Sequence, residues 1–348
     1  TNTLRLWNAE PSVHHFPDSI DFTEYLRKIE LLTHGLYPDD STEEGRILRL
    51  MQQYFLSSAA IQSVVKSFYK IHQTVKGLSK RYIFQLNDTH PIFAIPELMR
   101  VLIDDYKLSW DEAWEEVSNC FAFTNHTVLP EGLEKWPVHY VQTVLPRIYL
   151  IVEELNKRFN LELLKKNVNP SELNKMSIIG DGQIRMANLA IYACNSINGV
   201  AEIHTSILKA DTFKEFNDLY PEKFNNKTNG VTHRRWVANA NPLLSSLISK
   251  KIGTGWITDF SQIKKFEKFK TDGKVLKELR NIKFKNKLKV VEYIKKVQGL
   301  DIDPNTIFDV QIKRLHAYKR QLMNIFHVMY LYQRLKEDKN FKYTPTTF

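Results

Sequence analysis

The sequence predicts an α/β protein built on parallel sheets and divided over two domains, on three observations. A short apolar run, a polar cluster and then a proline-bearing or helical stretch recur in KRYIFQLNDTHPIFAIPELMRVLIDDY, SNCFAFTNHTVLPEGLEKWPV and FDVQIKRLHAYKRQLMN. Strands alternating with helices argue for parallel sheets, and open parallel sheets bind ligands at the carboxyl ends of their strands. The chain has 348 residues, more than one core usually takes. Finally, Asn, Gly and Thr interrupt the helical pattern at residues 224–232, which places a domain boundary there.

The elements follow in order. The first seventy residues read as mostly helical, with apolar residues at helix spacing in AIQSVVKSFYKIHQTV. Tyr82 to Leu86 fits a buried strand, Asn87–Pro91 breaks it, and Pro96 sits in the first turn of a helix. CFAFT is a second strand, ending at the polar Asn125 and His126. Beyond the boundary the chain resumes as helices and reaches Ile307–Ile312 as a strand, with Val310 and Ile312 alternating. Leu322, Ile325, Phe326, Val328 and Met329 then take helical spacing, and FKYTPTTF resembles the start of another strand.

Composition narrows the function classes. No apolar stretch approaches the roughly 20 residues of a membrane span, and TNTLRLWNAEPS lacks a signal-peptide pattern. The chain opens without methionine, so the expectation is that it begins inside a longer one. Two cysteines, Cys120 and Cys194, lie among apolar neighbours and read as small buried hydrophobes in a reducing, cytoplasmic setting. The net charge of +10 is concentrated: residues 250–300 hold fifteen Lys/Arg against five Asp/Glu. Those lysines alternate with Phe, Leu, Ile and Val at helical intervals, the pattern of a solvated helix face rather than of a nucleic-acid contact. Phosphate-loop, dinucleotide, zinc-protease, paired CxxC and serine-hydrolase motifs are all missing from the sequence.

What remains are polar clusters at the predicted strand ends. Lys313, Arg314, His316, Lys319 and Arg320 fall where a strand passes into a helix. Cations at a helix N-terminus oppose the macrodipole unless an anion compensates them, so the cluster is either a phosphate clamp or an exposed basic turn. Asp88 and His90 are either a carboxylate–imidazole pair or a loop in which Asp88 caps the following helix. His126, between Asn125 and Thr127, is either a ligand for a polyhydroxylated molecule or a satisfied loop histidine. Asn229–Gly230 reads first as a tight turn, and Arg234–Arg235–Trp236 as a packed aromatic with a charged rim. His14, His15, His34, His72 and His327 read as structural or surface residues.

Taken together, QLNDTHPIFAIPELMRVLID, AFTNHTVLPEGLEKWPV, IRMANLAIYACNSINGVAEIHTSILK, KFNNKTNGVTHRRW and FDVQIKRLHAYKRQLMN resemble successive blocks of the glycogen/starch/maltodextrin phosphorylases. They stand in that family's order and roughly its spacing. NTLRLWNAEPS and LYPDD extend the resemblance over essentially the whole chain. The resemblance implies a glycosyltransferase-B fold, two Rossmann-like domains around a cleft. Residues 1–227 would be part of the N-terminal glucan domain, and 228–348 the start of a cofactor-binding domain cut short. It implies phosphorolysis of terminal α-1,4-linked glucose by inorganic phosphate, giving α-glucose-1-phosphate with retention. The implied cofactor is pyridoxal 5'-phosphate, whose phosphate rather than its ring serves the reaction. The complete enzyme would be a homodimer acting on α-glucan, with no nucleic-acid or membrane partner and no metal.

By the same resemblance Lys313 pairs with the cofactor phosphate, and Arg314 and Lys319 are substrate-phosphate ligands. Tyr318 lies by the glucosyl ring and Trp236 near the cofactor. His126 and Asn229 hold glucose hydroxyls, the His126 carbonyl facing the anomeric carbon, and Asp88 and His90 lie toward the acceptor sugar. The chain also departs from the family. The block ending GTGNMKF, which carries the cofactor lysine, has no counterpart before Phe348, so the 348-residue piece alone is expected to be inactive. The glycine-rich loop that helps bind substrate phosphate belongs to a stretch that precedes this chain. Ala317 stands where a glutamate is common, and TEYLRKIELLTHG does not match the gate loop of animal members. A glucan-binding remnant without catalysis is the alternative.

Overall fold

A computed structural model describes residues 3–12 and 21–348, and His14 and His15 lie outside the described residues. The chain divides into two compact units, Thr1–Asn229 and Gly230–Phe348.

The first unit opens with two helices, α1 (Phe22–Leu31) and α2 (Glu43–His72). Thr42 caps α2 by accepting from the Gly45 N–H, and Gln73 ends it in the left-handed conformation. Then come β1 (Phe84–Asn87), α3 (Ala94–Arg100), α4 (Trp110–Cys120) and β2 (Phe121–Thr124). Pro96 falls in the first turn of α3, where its missing N–H costs nothing. A capping box opens α4: Ser109 Oγ accepts from the Glu112 N–H, and the Glu112 carboxylate accepts from the Ser109 N–H. The unit continues through β3 (Lys135–Pro137), α5 (Val138–Val144), α6 (Pro146–Lys165), α7 (Pro170–Met176), β4 (Ile179–Gly180) and β5 (Gln183–Arg185). It closes with α8 (Met186–Ala193), β6 (Ser196–Gly199), α9 (Glu202–Ile207), α10 (Lys214–Leu219) and β7 (Phe224–Asn226).

Strands β1, β2, β6 and β7 form one sheet in that order, every pair parallel. Parallel pairing needs crossovers, and the helices between these strands supply them while burying the sheet. Phe121 and Phe123 of β2 are fully buried, as are Ile61 and Val65 of α2 and Ile151, Leu155 and Phe159 of α6. Cys120 and Cys194 are buried free thiols, and burial pushes the Cys120 thiol up to about 12. The mixed α/β architecture with a parallel sheet is therefore as expected. The first strand is not: it begins at Phe84 rather than Tyr82, Ile83 is exposed, and only Leu86 of its four residues is buried. At the end of the sheet it has a single strand neighbour, β2, among the described residues.

Where β6 meets α9, packing leaves no room. A Cβ on Gly199 would stand 2.9 Å from His204 Nδ1 and 3.1 Å from Thr205 Cα. Gly199→Ala is accordingly expected to destabilise the unit by about 1–3 kcal/mol through overpacking, measurable as a lowered urea midpoint.

In the second unit, α11 (Pro242–Ile252) and α12 (Gly273–Gln298) are followed by β8 (Ile307–Phe308), α13 (Gln321–Glu337) and β9 (Thr346–Thr347), with β8 and β9 parallel. Leu247, Ile248, Trp256 and Val275 are its buried apolar residues around α11, and Trp256 Nε1 donates to Ser249 Oγ at 3.1 Å. The lysine-rich stretch forms a 3₁₀ segment, Phe260–Phe269, and then α12, as its spacing predicts. The expected strand Ile307–Ile312 stops at Phe308, because its partner β9 is two residues long. Beyond it Val310 and Ile312 belong to no element, and Ile312 is 90% exposed. The helix expected from Leu322 to Met329 forms as α13, yet Leu322, Ile325, Phe326 and Met329 are exposed and Leu331 is its one buried residue.

Candidate active site

In the first unit the polar residues collect at the carboxyl ends of the parallel strands, the ligand edge of an open sheet. Asp88 follows β1 in the left-handed region, at φ +68°, which a short polar side chain tolerates. Its N–H donates to Thr124 O at 2.9 Å, carrying the ladder one residue past β1. Asp88 Oδ1 accepts from the Thr89 N–H at 2.9 Å, while Phe93, the N-cap residue of α3, makes no side-chain capping bond. Asp88 therefore does not cap α3 itself, although its side chain takes up one backbone N–H of the loop before it.

Asn125 is fully buried at the end of β2. Its N–H donates to Asn198 O at 3.0 Å and its Oδ1 accepts from the Thr127 N–H at 3.1 Å. These bonds turn the next residue, His126, outward to solvent. His126 Nε2 donates to the side-chain oxygen of Asn87, so strands β1 and β2 hold the imidazole between them. A row of side chains continues beneath: Gln85 Nε2 donates to Thr124 Oγ1 at 2.8 Å, and Thr124 Oγ1 to Asn198 Oδ1 at 2.9 Å. Asn229 is exposed beyond β7, and its N–H donates to Val200 O at 3.0 Å. It extends the β6–β7 ladder, and neither a turn nor a positive φ occurs at Asn229–Gly230, so the expected tight turn there does not form.

His90 faces another partner. Its Nδ1 lies 3.8 Å from Glu134 Oε2 and 3.4 Å from Gln53 Nε2. Among the described residues no hydrogen bond or ion pair joins it to Asp88, so the two are not a carboxylate–imidazole pair. Glu134 Oε1 accepts from Arg49 at 2.9 Å and from Gln53 at 3.0 Å, and Arg49 also pairs with Asp40. Arg49, Gln53 and His90 line a cavity of about 490 Å³ beside β1. Sequence reading did not single out Arg49, Gln53 or Glu134, since nothing local marks residues that meet across 81 to 85 positions of chain.

In the second unit the basic cluster is built on backbone held by one glutamine. Gln321, the first residue of α13, donates through Nε2 to the carbonyls of Lys313 (3.2 Å) and Arg314 (3.1 Å). Its Oε1 accepts from the His316 N–H at 3.1 Å. Gln311 Nε2 donates to Lys319 O at 2.9 Å, and Asn324 Nδ2 donates to Gln311 Oε1 at 3.0 Å. With the carbonyls so occupied, the side chains of Lys313, Arg314 and Arg320 stand in solvent. Lys319 Nζ lies 5.5 Å from the centre of the Tyr318 ring, which also packs against His316. Among the described residues none of Lys313, Arg314, Lys319 and Arg320 makes an ion pair. Arg320, the residue before α13, adopts φ +56° and offers no side-chain cap. Uncompensated cations against the positive end of a helix are a standing electrostatic cost that a bound anion relieves.

Lys313, Lys319 and Arg320 line one open cleft of about 460 Å³ with Asn324 and His327. Arg314 is not among its walls. His327, read as a structural or surface residue, is exposed and joins the cleft because α13 brings it two turns along to the same face. Trp236 lies in a π-helical stretch, Arg234–Asn239, and is 62% exposed, not packed under a charged rim. Among the described residues no side-chain hydrogen bond or ring contact links it to the cluster.

A polar strand-end row, then, lies in one unit and an unpaired cation cluster in the other. The profile of the carbohydrate phosphorylase family matches residues 1–348, the entire chain. The chain belongs to that family. Carbohydrate phosphorylases similar to it include the glycogen phosphorylase of Bacillus subtilis (strain 168), 46% identical over 348 residues, which is 100% of this chain and 43% of that protein. The muscle form of glycogen phosphorylase from Bos taurus is 40% identical over 365 aligned residues, 99% of this chain and 43% of that protein. The glycogen phosphorylase of Haemophilus influenzae is 40% identical over 357 residues, with the same coverage. The chain thus spans less than half the length of the curated relatives it matches. Among the described residues no helix is long and apolar enough to cross a membrane, and no group of His, Cys, Asp or Glu could hold a metal ion.

Proposed function

We propose that this carbohydrate phosphorylase chain is part of an enzyme that uses inorganic phosphate to release the terminal α-1,4-linked glucose of an α-glucan as α-glucose-1-phosphate, with retention. The observation that carries the reading is the set of four cations at the start of α13, none of which makes an ion pair among the described residues, although Asp309 also lines the cleft. Phosphate groups are the anions such a set fits, because each carries up to two charges and several acceptor oxygens. The same donor set fits the phosphate end of pyridoxal phosphate, which supplies that phosphate to the reaction rather than its ring.

In this reading Lys313 holds the cofactor phosphate, and Lys319 and Arg314 neutralise the attacking phosphate. Tyr318 lies beside the glucosyl ring and Trp236 near the cofactor. Two phosphates at close quarters repel each other, and fixed cations remove that cost before reaction begins. In the first unit His126 and Asn229 hold glucosyl hydroxyls, and the His126 carbonyl faces the charge that develops at the anomeric carbon. Asn87 keeps the His126 ring oriented, as its hydrogen bond supports. Asp88 and His90 serve the acceptor-sugar side. No pair of carboxylates flanking the bond is required, unlike in glycosidases. The fold reading is the glycosyltransferase-B type, residues 1–227 belonging to the glucan domain and 228–348 to the cofactor domain. The complete enzyme is a cytoplasmic homodimer.

The experiment is to incubate the full-length protein with maltodextrin, with and without inorganic phosphate. Glucose-1-phosphate is expected only with phosphate. Glucan cleavage that proceeds equally without phosphate would refute the reading.

A further inference from the structure

His204 sits at the third position of α9, where a capping box would carry a glutamate. Its Nδ1 accepts from the Val200 N–H at 3.1 Å, just before the N-cap residue Ala201, whose side chain makes no capping bond. Because Nδ1 is the acceptor, the ring is neutral and its proton is on Nε2. That nitrogen is buried, has no partner at hydrogen-bond geometry, and lies against the backbone of Thr127. Burial outweighs the opposing contact with the Thr127 backbone and holds the imidazole below its ordinary value, which favours the neutral form. The Val200 carbonyl in turn accepts from the Asn229 N–H at 3.0 Å. One imidazole therefore stands between the loop that carries His126 and the chain that carries Asn229. Gly199 allows this approach, since a Cβ there would press on the ring at 2.9 Å.

We propose that His204 is a positioning residue of the glucosyl site, fixing Val200 and through it Asn229 against the His126–Thr127 loop. The proposal rests on the phosphorylase reading for its effect on rate, but not for the hydrogen-bond chain itself. Orientation errors of about an ångström can cost roughly 100-fold in rate, so a group that only holds the backbone can still govern turnover.

The test compares His204→Leu and His204→Asn in the full-length protein, the carboxamide oxygen of asparagine being able to take the Nδ1 position. Amide exchange by mass spectrometry reads peptides containing Val200 and Asn229, and kinetics read kcat and the KM for maltodextrin and phosphate. His204→Leu is expected to lose protection in both peptides and to lower kcat roughly 10- to 100-fold, with the KM for phosphate changed less than about threefold. His204→Asn is expected to restore protection and kcat to within about threefold. Kinetics unchanged in His204→Leu, or an asparagine variant as impaired as the leucine one, would overturn the proposal. If the leucine variant does not fold, His204→Gln takes its place, because its oxygen reaches toward Nε2 and misses Val200. If the wild-type protein does not phosphorolyse glucan, the functional reading fails by itself. The exchange data then decide alone: protection lost and regained supports the role, and unchanged protection overturns it.

Discussion

Lys319→Ala in the full-length protein is expected to lower phosphorolysis by roughly 100- to 1,000-fold, the usual effect of removing one fixed group that stabilises transition-state charge. Stability is expected to move by less than about 0.5 kcal/mol. The asymmetry follows from the structure. Lys319 makes no ion pair among the described residues, and it lies next to the positive end of α13, where a cation is unfavourable. Evolution of stability alone would not place it there. Arg314→Ala is expected to weaken phosphate use as well, although Arg314 does not line the cleft formed by Lys313, Lys319 and Arg320. Steady-state kinetics against phosphate, beside thermal unfolding of each variant, make the measurement. Normal phosphate kinetics in both variants would show that the cluster is an exposed basic turn.

The second large effect concerns stability. Glu97 of α3 is fully buried and accepts from Arg100 Nε and Nη2, both at 2.9 Å. Tyr54 and Ser58 of α2 also donate to it, each at 2.8 Å. Removing one partner of such a pair leaves a buried charge short of compensation, so Arg100→Met is expected to cost about 3 kcal/mol in urea unfolding. The pH dependence has a definite sign. Burial pushes the Glu97 carboxyl up, but the bonds from Arg100, Ser58 and Tyr54 together hold it below its ordinary value. Its contribution is therefore present above the unfolded carboxyl value near 4.5 and is lost as pH falls through the lower folded value. In Arg100→Met the folded value rises, and the acid loss begins at higher pH. A cost below about 1 kcal/mol, with an unchanged acid limb, would mean the neutral donors suffice. The effect would reach the candidate site, since α3 directly follows the loop carrying Asp88 and His90.

What the sequence made legible was local. FAFT of the predicted CFAFT strand, followed by Asn125 and His126, is a strand, a buried amide and an outward imidazole in the structure, because an apolar run and the polarity that ends it are encoded within a few residues. The extent of β1 and β8 was not legible, because a strand ends where its neighbour ends. Val310 alternates correctly and still has no partner strand among the described residues. Trp236 reads as a core aromatic from its neighbours, but its exposure is set by how the 234–239 stretch turns. The Arg49–Glu134–Gln53 network and the reach of His204 to Val200 join side chains whose own surroundings look ordinary. The helical spacing of α13 was plain, while its exposure depends on what packs against it and not on its own pattern.

The most direct test of the whole account follows the anomeric proton of the product by NMR while the full-length protein acts on maltodextrin and inorganic phosphate. The account predicts α-glucose-1-phosphate as the first product. Release of free glucose, or of β-glucose-1-phosphate, would contradict it.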